Sequence, residues 1–223
     1  MLEELFPNWE RGAQNLVDAI FGTLEMTATA GIIAFIFGTT LGVLLVVMKK
    51  GGILENLVVY HFLDVVINWV RSIPFLILMI LLIPLSRAIT GTGIGTIGAI
   101  VPLVLGTTPF FARQIETAIS ELDSGLIEAS LAMGMSPIEI IFSVYLRESI
   151  PSIARVTQIT AINLVSLTTL TGAIGAPSLG EYAIRFGHQL GHTDLLIAAT
   201  IVIIVIVIII QSIGNIVIRY TKR

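Results

Sequence analysis

Long apolar stretches without Asp, Glu, Lys or Arg alternate with short polar segments along the chain. A helix needs about 20 apolar residues to cross the ~30 Å hydrocarbon layer of a bilayer. The stretch 72–86 reaches that length if residues 65–70 extend it past Arg71, whose long side chain can reach the lipid headgroups. The pattern therefore predicts five membrane-spanning helices, over 26–48, 65–86, about 95–112, 156–180 and 195–218.

The composition supports a membrane protein and excludes several soluble classes. Hydrophobic residues make up 55% of the 223 residues and charged residues 12%, against about 25% charged residues in an ordinary soluble domain. The absence of cysteine excludes disulfides and thiolate metal sites. We expect an all-α membrane protein whose residues 1–223 form one transmembrane domain, without a cleavable signal peptide because Glu3 and Glu4 make the N-terminus acidic.

The basic residues between the predicted spans are unequally distributed. Nine Lys and Arg lie on one side of the membrane and three on the other, and cytoplasmic loops are enriched in such residues. This places the N-terminus outside and the C-terminus in the cytoplasm. The cytoplasmic set is Lys49, Lys50, Arg71, Arg113, Arg147, Arg155, Arg219, Lys222 and Arg223, and the external set is Arg11, Arg87 and Arg185.

The longest predicted cytoplasmic segment, about 118–149, contains signals for a short helix. Asp123 or Ser124 can cap its start, and Gly134 is a suitable residue for its end. The sequence from Ser136 to Glu139 has the pattern of a capping box with Pro at the first helical position, so a second helix begins at once. A helix of about ten residues, roughly 15 Å long, is predicted between two sharp turns.

The predicted helix carries small and apolar side chains together, and two interpretations follow. A short helix with apolar side chains can bind in a groove of a partner protein. Alternatively, an amphipathic helix can lie in the membrane interface. The residues concerned are Leu126, Ile127, Ala129, Ser130, Leu131, Ala132, Met133 and Gly134.

The same residues resemble a known family motif. Glu128, Ala129 and Ser130, followed by Gly134 and later by Ile150 and Pro151, are similar to the EAA motif of permease subunits of binding-protein-dependent ABC importers. The resemblance implies that this is the coupling helix, which binds a cleft of the cytoplasmic ATPase. The residues assigned to this coupling are Glu128, Ala129, Ser130, Gly134, Ser136 and Pro137.

Further motifs resemble the methionine-importer permease subfamily. The resemblance implies a homodimer in the bacterial plasma membrane, two ABC ATPase subunits that hold ATP and Mg, and an external solute-binding protein. It implies import of methionine or a closely related amino acid and no cofactor on this chain, while the composition gives no reason to expect a nucleic-acid partner. Residues 166–182 depart from the subfamily pattern, which leaves the solute open. The motifs are Arg71-Ser72-Ile73-Pro74-Phe75, Ala99-Ile100-Val101-Pro102-Leu103 and Pro109-Phe110-Phe111-Ala112-Arg113.

The fourth predicted span carries hydroxyl side chains among Leu and Ile. In lipid, such hydroxyls bond to backbone carbonyls or to neighbouring helices, and the alternative is that they line a pathway. The resemblance places this stretch at the narrowing of the pathway, with Leu170 as an apolar gate residue that meets its counterpart from a second copy. The hydroxyl residues are Ser166, Thr168, Thr169 and Thr171.

The central parts of the spans lack ionisable residues, and the chain lacks a phosphate-binding G-x-x-x-x-G-K-[ST] loop. We therefore expect no catalytic site on this chain and a separate motor subunit. Two alternatives stay open. One is an ABC permease for another amino acid or a dipeptide, and the other is a channel or scaffold subunit that does not couple to ATP.

Three weaker patterns have simpler interpretations. The G-x-G-x-x-G pattern at 93–98 lacks a βαβ context, so dinucleotide binding is not expected. The G-x-x-x-G pattern of Gly38 and Gly42 favours close helix packing within the chain over a dimer face. His188 and His192 have a spacing suited to a metal on a helix, but we expect a solvated loop and no metal.

Overall fold

The computed structural model describes residues 8–221, except the side chains of residues 9–11. Within this part, all regular structure is helical and no strand occurs. Some charges used above lie outside the described side chains, namely those of Glu3, Glu4, Arg11, Lys222 and Arg223.

The helices follow one another with short connections. Between residues 8 and 221, three segments have 3-10 or π geometry and continue a neighbouring α-helix. In chain order the elements are α1 (Trp9–Met48), α2 (Leu57–Ser72), α3 (Phe75–Leu81), α4 (Ile83–Thr90), α5 (Gly95–Ser120), α6 (Ser124–Ala132), α7 (Pro137–Ile140), a π-helical segment (Ile141–Leu146), α8 (Ile150–Thr168), a 3-10 segment (Thr169–Ile174), α9 (Leu179–Tyr182), a second π-helical segment (Ala183–Gln189) and α10 (Thr193–Thr221).

In the part of the chain that the structure describes, four helical stretches are long and apolar enough to cross a membrane, and α2 with α3 makes a fifth if this bent pair is one span. The all-helical class and the number of candidate spans agree with the prediction. The four stretches are Gly12–Met48, Gly95–Ser120, Ile150–Ile174 and Thr193–Thr221.

The predicted second span is not one continuous helix. It begins earlier than expected, at Leu57, where the side chain of Asn56 accepts a hydrogen bond from the Val59 N–H at 3.2 Å. It is then interrupted between α2 and α3 by a bend of 102°. The cause is Pro74, which lacks an N–H and disfavours helical geometry at the preceding residue. Ile73 is accordingly extended, with φ −84° and ψ 124°.

The first and fourth spans also differ from their predicted limits. Helix α1 starts well before residue 26, so that Asp18 and Glu25 lie within the helix on exposed positions. The fourth span ends at Ile174, because Gly175 adopts a left-handed conformation with φ +72°. The charge-free run to 180 therefore contains a turn and the start of α9, and is not one helix.

The described residues form two compact units. Unit 1 comprises 8–33, Pro74–Gly106 and Ala161–Gln211, and unit 2 comprises Ala34–Ile73, Thr107–Thr160 and 212–221. Each has its own apolar core. In unit 1, one cluster is centred on Tyr182 and Leu195 and another on Met26 and Leu103.

The core of unit 2 supports the predicted coupling segment. Val46 and Val47 of α1 pack with Phe111 and Ile115 of α5 and with Ile140 of α7. The partly buried Ile127 of α6 and Met135 of the following turn pack against the same cluster. Burial of a side chain of this kind is worth about 1.5–3 kcal/mol, so this cluster anchors both ends of α6.

The two glycine patterns have packing roles. A Cβ on Gly38 would lie 2.8 Å from the Phe111 ring, and one on Gly42 would lie 2.6 Å from the Ala112 carbonyl oxygen. Both contacts are within unit 2, which confirms packing inside the chain. In unit 1, a Cβ on Gly98 would lie 2.7 Å from the Gly93 carbonyl carbon, so the 93–98 pattern permits a tight turn into α5.

Candidate functional site

The short helix predicted between Asp123 and Gly134 is present as α6, a nine-residue helix in unit 2. The Asp123 carboxylate caps its start by accepting a hydrogen bond from the Gly125 N–H at 2.8 Å. At its end, Gly134 has φ +79° and the Met135 N–H donates to the Ser130 carbonyl at 3.2 Å. A left-handed glycine with such a bond is a common helix stop. The local signals in the sequence were therefore sufficient to define both ends.

The second helix starts as the capping-box pattern predicts. The Ser136 hydroxyl accepts from the Glu139 N–H, and the Glu139 carboxylate accepts from the Ser136 N–H at 2.7 Å. These bonds from the backbone and side chain of Ser136 lower the pKa of Glu139. Pro137 occupies the first helical position. The turn 133–136 is thus fixed from both sides.

One face of α6 is packed and the other is open. The side chain of Ser130 is 4% exposed, and its hydroxyl donates to the Leu126 carbonyl at 2.7 Å. Glu128 and Ala129 are exposed. Two apolar side chains larger than Ala129 are also exposed to solvent: Leu131 is 49% exposed and Met133 is 73% exposed. An exposed apolar patch on a short, rigidly capped helix is typical of an interaction surface.

The predicted pathway residues lie in unit 1 and separate into two groups. Ser166 and Leu170 are exposed, Leu170 to 42%. Thr168 and Thr171 are fully buried. Their hydroxyls donate to the Val165 and Thr168 carbonyls, both at 2.7 Å. Hydroxyl bonding to the helix backbone, the first of the two alternatives, is therefore what the structure shows for this pair.

The half-buried Thr169 begins the 3-10 segment, and its hydroxyl donates to the Ser166 carbonyl at 2.7 Å. Two glycines allow α9 to pack on this segment. A Cβ on Gly180 would overlap the Thr169 carbonyl oxygen, and one on Gly172 would lie 2.6 Å from the Glu181 Cβ. The packing role of these glycines was not predicted from the sequence. Their signal was the local density of small residues between 172 and 180.

Unit 2 also contains an ion-pair cluster that was not predicted from the sequence. The Arg113 guanidinium donates to the Asp64 carboxylate and to Glu116 Oε2, the latter at 2.7 Å. The side chains are 17–30% exposed. The i, i+3 spacing of Arg113 and Glu116 was visible in the sequence, whereas the contact of α5 with Asp64 on α2 was not.

The two histidines of the predicted external loop do not share a helix. His188 lies in the second π-helical segment, which ends at Gln189, and His192 lies beyond it. Nearby Asp194 accepts from the N–H and the side-chain amide of Asn8. In the part of the chain that the structure describes, no three His, Asp or Glu side chains come together in a metal-binding arrangement.

The comparisons with known proteins agree with this architecture. The sequence pattern of the family described as "Binding-protein-dependent transport system inner membrane component" matches residues 34–223. The chain belongs to this family. This confirms the resemblance found in the motif residues, and it identifies the chain as a multi-helix component of the inner membrane.

Relatives in this family match nearly the whole chain. The probable D-methionine transport system permease protein MetI of Vibrio cholerae is 44% identical over 204 residues, which are 92% of this chain and 91% of the relative. The methionine import system permease protein MetP of Bacillus subtilis is 41% identical and covers 97% of both chains. A chain of the MetNI methionine ABC transporter, crystallised in an inward-facing conformation, has 38% identity and a TM-score of 0.92, covering 94% of this chain and 97% of that one.

Proposed function

We propose that this chain is the permease subunit of an ATP-driven ABC importer and forms the pathway for methionine. The support for the solute is the similarity to relatives named as methionine permeases over nine tenths of the chain. In this proposal two copies form the pathway, two separate ATPase subunits hold ATP and Mg, and an external binding protein delivers the solute.

The orientation proposed for the subunit places α6 in the cytoplasm. It rests on the unequal distribution of Lys and Arg. Arg71 lies in the last turn of α2, 14 residues and about 21 Å along the axis from Leu57, so it is not a loop residue. Without Arg71, eight Lys and Arg still lie on the proposed cytoplasmic side and three on the external side.

The observation that carries the coupling role is the open apolar face of the capped helix α6. We propose that Leu126, Leu131 and Met133 bind the ATPase, while Ser130 and Ile127 hold the helix to unit 2. Glu128 and Ala129 lie on the exposed side, and the turn from Gly134 to Pro137 sets the angle at which the helix leaves the core. ATP-driven closure of the ATPase pair would then move α6 together with unit 2.

This role has a direct binding test. Met133→Ser removes an exposed apolar side chain without touching the core. If α6 binds the ATPase, association should weaken about tenfold, since a buried side chain of this size contributes about 1.5–3 kcal/mol. The matched control is Ile213→Ser, at a 58% exposed position on α10. Equal ATPase affinity in the two variants contradicts the role and favours a channel or scaffold that is not coupled to ATP.

For the pathway, we propose that the exposed pair Ser166 and Leu170 faces the solute, with Leu170 of two copies closing the resting pore. Half-buried Thr169 lies at the edge of this face. Thr168 and Thr171 belong behind it, because their buried hydroxyls hold the 3-10 turn.

The gate is tested in vesicles that contain the reconstituted importer. Leu170→Gly should give a methionine leak without ATP, whereas Thr200→Gly, at an exposed position on α10, should not. A leak through Leu170→Gly that equals the wild-type leak contradicts the gate.

A further inference from the structure

An apolar groove runs along the outer surface of unit 2. Helix α1 forms one wall from Phe35 to Leu44, and Ile141, Phe142 and Leu146 of the first π-helical segment form the other. The groove has a volume of about 530 Å³, within the ~300–1,000 Å³ range of small-molecule sites. None of the functions described above uses it.

The lining of the groove favours a hydrocarbon chain as its ligand. Its polar side chains are Thr39 and Thr40, and the Thr40 hydroxyl already donates to the Ile36 carbonyl at 2.9 Å. Phe142 is 65% exposed and Ile36 61% exposed, so the apolar surface is open. A polar solute would lose its hydrogen bonds to water in this groove and gain few in return.

The length of the groove matches one leaflet of a bilayer. Nine residues separate Phe35 from Leu44, which corresponds to about 14 Å along the helix axis. This is about half of the ~30 Å hydrocarbon layer. This wall lies in the part of the candidate span Gly12–Met48 that is free of Asp, Glu, Lys and Arg, so we expect the groove to lie at hydrocarbon depth.

Both walls continue into basic residues. Lys49 and Lys50 follow Leu44 at the end of α1, and Arg147 follows Leu146. These cations lie toward the same end of unit 2. The Lys49 ammonium donates to Ser120 at 3.2 Å, the adjacent Glu121 accepts from Ser152 at 3.0 Å, and Arg147 is only five residues before Ser152.

These cations have charge available for an anionic group. Among the described side chains, those of residue 8 and residues 12–221, the ion pairs involve only Arg113 and Arg185 on the basic side, and neither Lys50 nor Arg147 takes part. Two neighbouring acids are already hydrogen-bonded, Glu55 to the Gly51 N–H and Glu121 to Ser152. Exposed Glu148 adjoins Arg147, which makes Lys50 the more informative position.

We propose that the groove binds one acyl chain of an anionic phospholipid from the cytoplasmic leaflet, with the phosphate held by Lys50 and Arg147. Basic pockets between membrane helices on the cytoplasmic side recognise anionic headgroups in this way. The proposal rests on the orientation proposed above and is independent of the transported solute. Because Ile141 and Phe142 directly follow α7, the bound lipid would brace the segment that leads from α6 into the core.

Photolabelling tests the site without measuring transport. The full chain is placed in nanodiscs of phosphatidylcholine with a minor fraction of phosphatidylglycerol that carries a photoreactive group at the end of its acyl chain. Peptides containing 35–44 and 141–146 should be labelled. Lys50→Gln and Arg147→Gln should each lower this labelling about fivefold, while Arg219→Gln, an exposed cation on α10, should leave it unchanged.

The acyl chain is tested separately. Thr40→Trp fills the groove and should abolish labelling, whereas Phe37→Trp, at a 58% exposed position on the same helix but outside the groove, should not. Equal labelling by photoreactive phosphatidylcholine overturns the anionic site, and unchanged labelling of Thr40→Trp overturns the groove. Because the chain has no cysteine, a photoreactive reagent can be attached at Phe142→Cys alone. A cross-link from it to a second copy assigns the groove to a dimer contact and overturns the proposal.

Discussion

Gly134→Ala is the perturbation that best isolates the role of α6. Gly134 has φ +79°, and a Cβ at this position would meet no atom within 4 Å. The substitution therefore adds no clash and costs only the left-handed backbone conformation, about 1–2 kcal/mol. An energy of this size changes the population of the native turn by a factor of about 5–30. We expect the end of α6 to unwind and the ATPase to bind correspondingly more weakly.

The assay is ATPase co-purification together with ATP-dependent uptake in vesicles. Gly91→Ala is the matched control, because Gly91 also ends a helix with φ +82° and open space around it. It imposes the same strain at a site away from α6 and should leave ATPase binding unchanged. Equal losses in both variants would refute the reasoning, since general strain would then explain the effect. Gly134→Asn should be milder, because Asn tolerates the left-handed region.

Three further predictions concern stability and pH. Arg113→Met leaves the Asp64 and Glu116 carboxylates without their shared donor and should lower the free energy of unfolding by about 1–3 kcal/mol. Thermal melting followed by tryptophan fluorescence measures this loss. Adding Asp64→Asn together with Glu116→Gln should recover part of it. Gly42→Val forces a Cβ against α5 and should lower the free energy of unfolding by about 1–3 kcal/mol in the same assay. The control Thr40→Val, at an exposed position, should leave the stability unchanged. Equal melting temperatures for the two variants contradict the packing. Hydrogen bonds lower the pKa of Glu139, so its contribution to the cap is present above the ordinary carboxyl pKa of about 4.3 and is lost as the pH falls through the lowered value. An NMR titration of the Glu139 carboxyl carbon in the intact chain should give a midpoint below that ordinary value. A midpoint at or above it contradicts the capping box.

Features determined by neighbouring residues were predictable from the sequence. The capping residues bond only to groups a few positions away, so their roles follow from residue type and spacing. These residues are Asp123, Gly134 and Ser136. The long spans were equally clear, because the bilayer imposes a length and composition on any helix that crosses it. The break before α3 was also predictable in principle, since Pro74 acts locally on Ile73, although the charge-free run obscured it.

Features that depend on contacts between distant residues were not predictable. The hydroxyls of Ser166, Thr168 and Thr171 look alike in the sequence, and only packing decides that the two threonines are buried while the serine is exposed. Likewise, nothing local to Asp64 indicates that Arg113, 49 residues away, would bind it. The candidate surface on α6 was therefore identified with its limits, whereas the composition of the candidate pathway face required the structure.

Competition of uptake tests the central claim most directly. The chain is reconstituted in vesicles with its own ATPase and binding protein, ATP is supplied on the ATPase side, and radiolabelled methionine is competed by other amino acids and dipeptides. The account predicts concentrative uptake that requires ATP and is displaced by unlabelled methionine but not by the other solutes. Uptake without ATP contradicts the coupled importer, and displacement by a different solute contradicts methionine as the cargo.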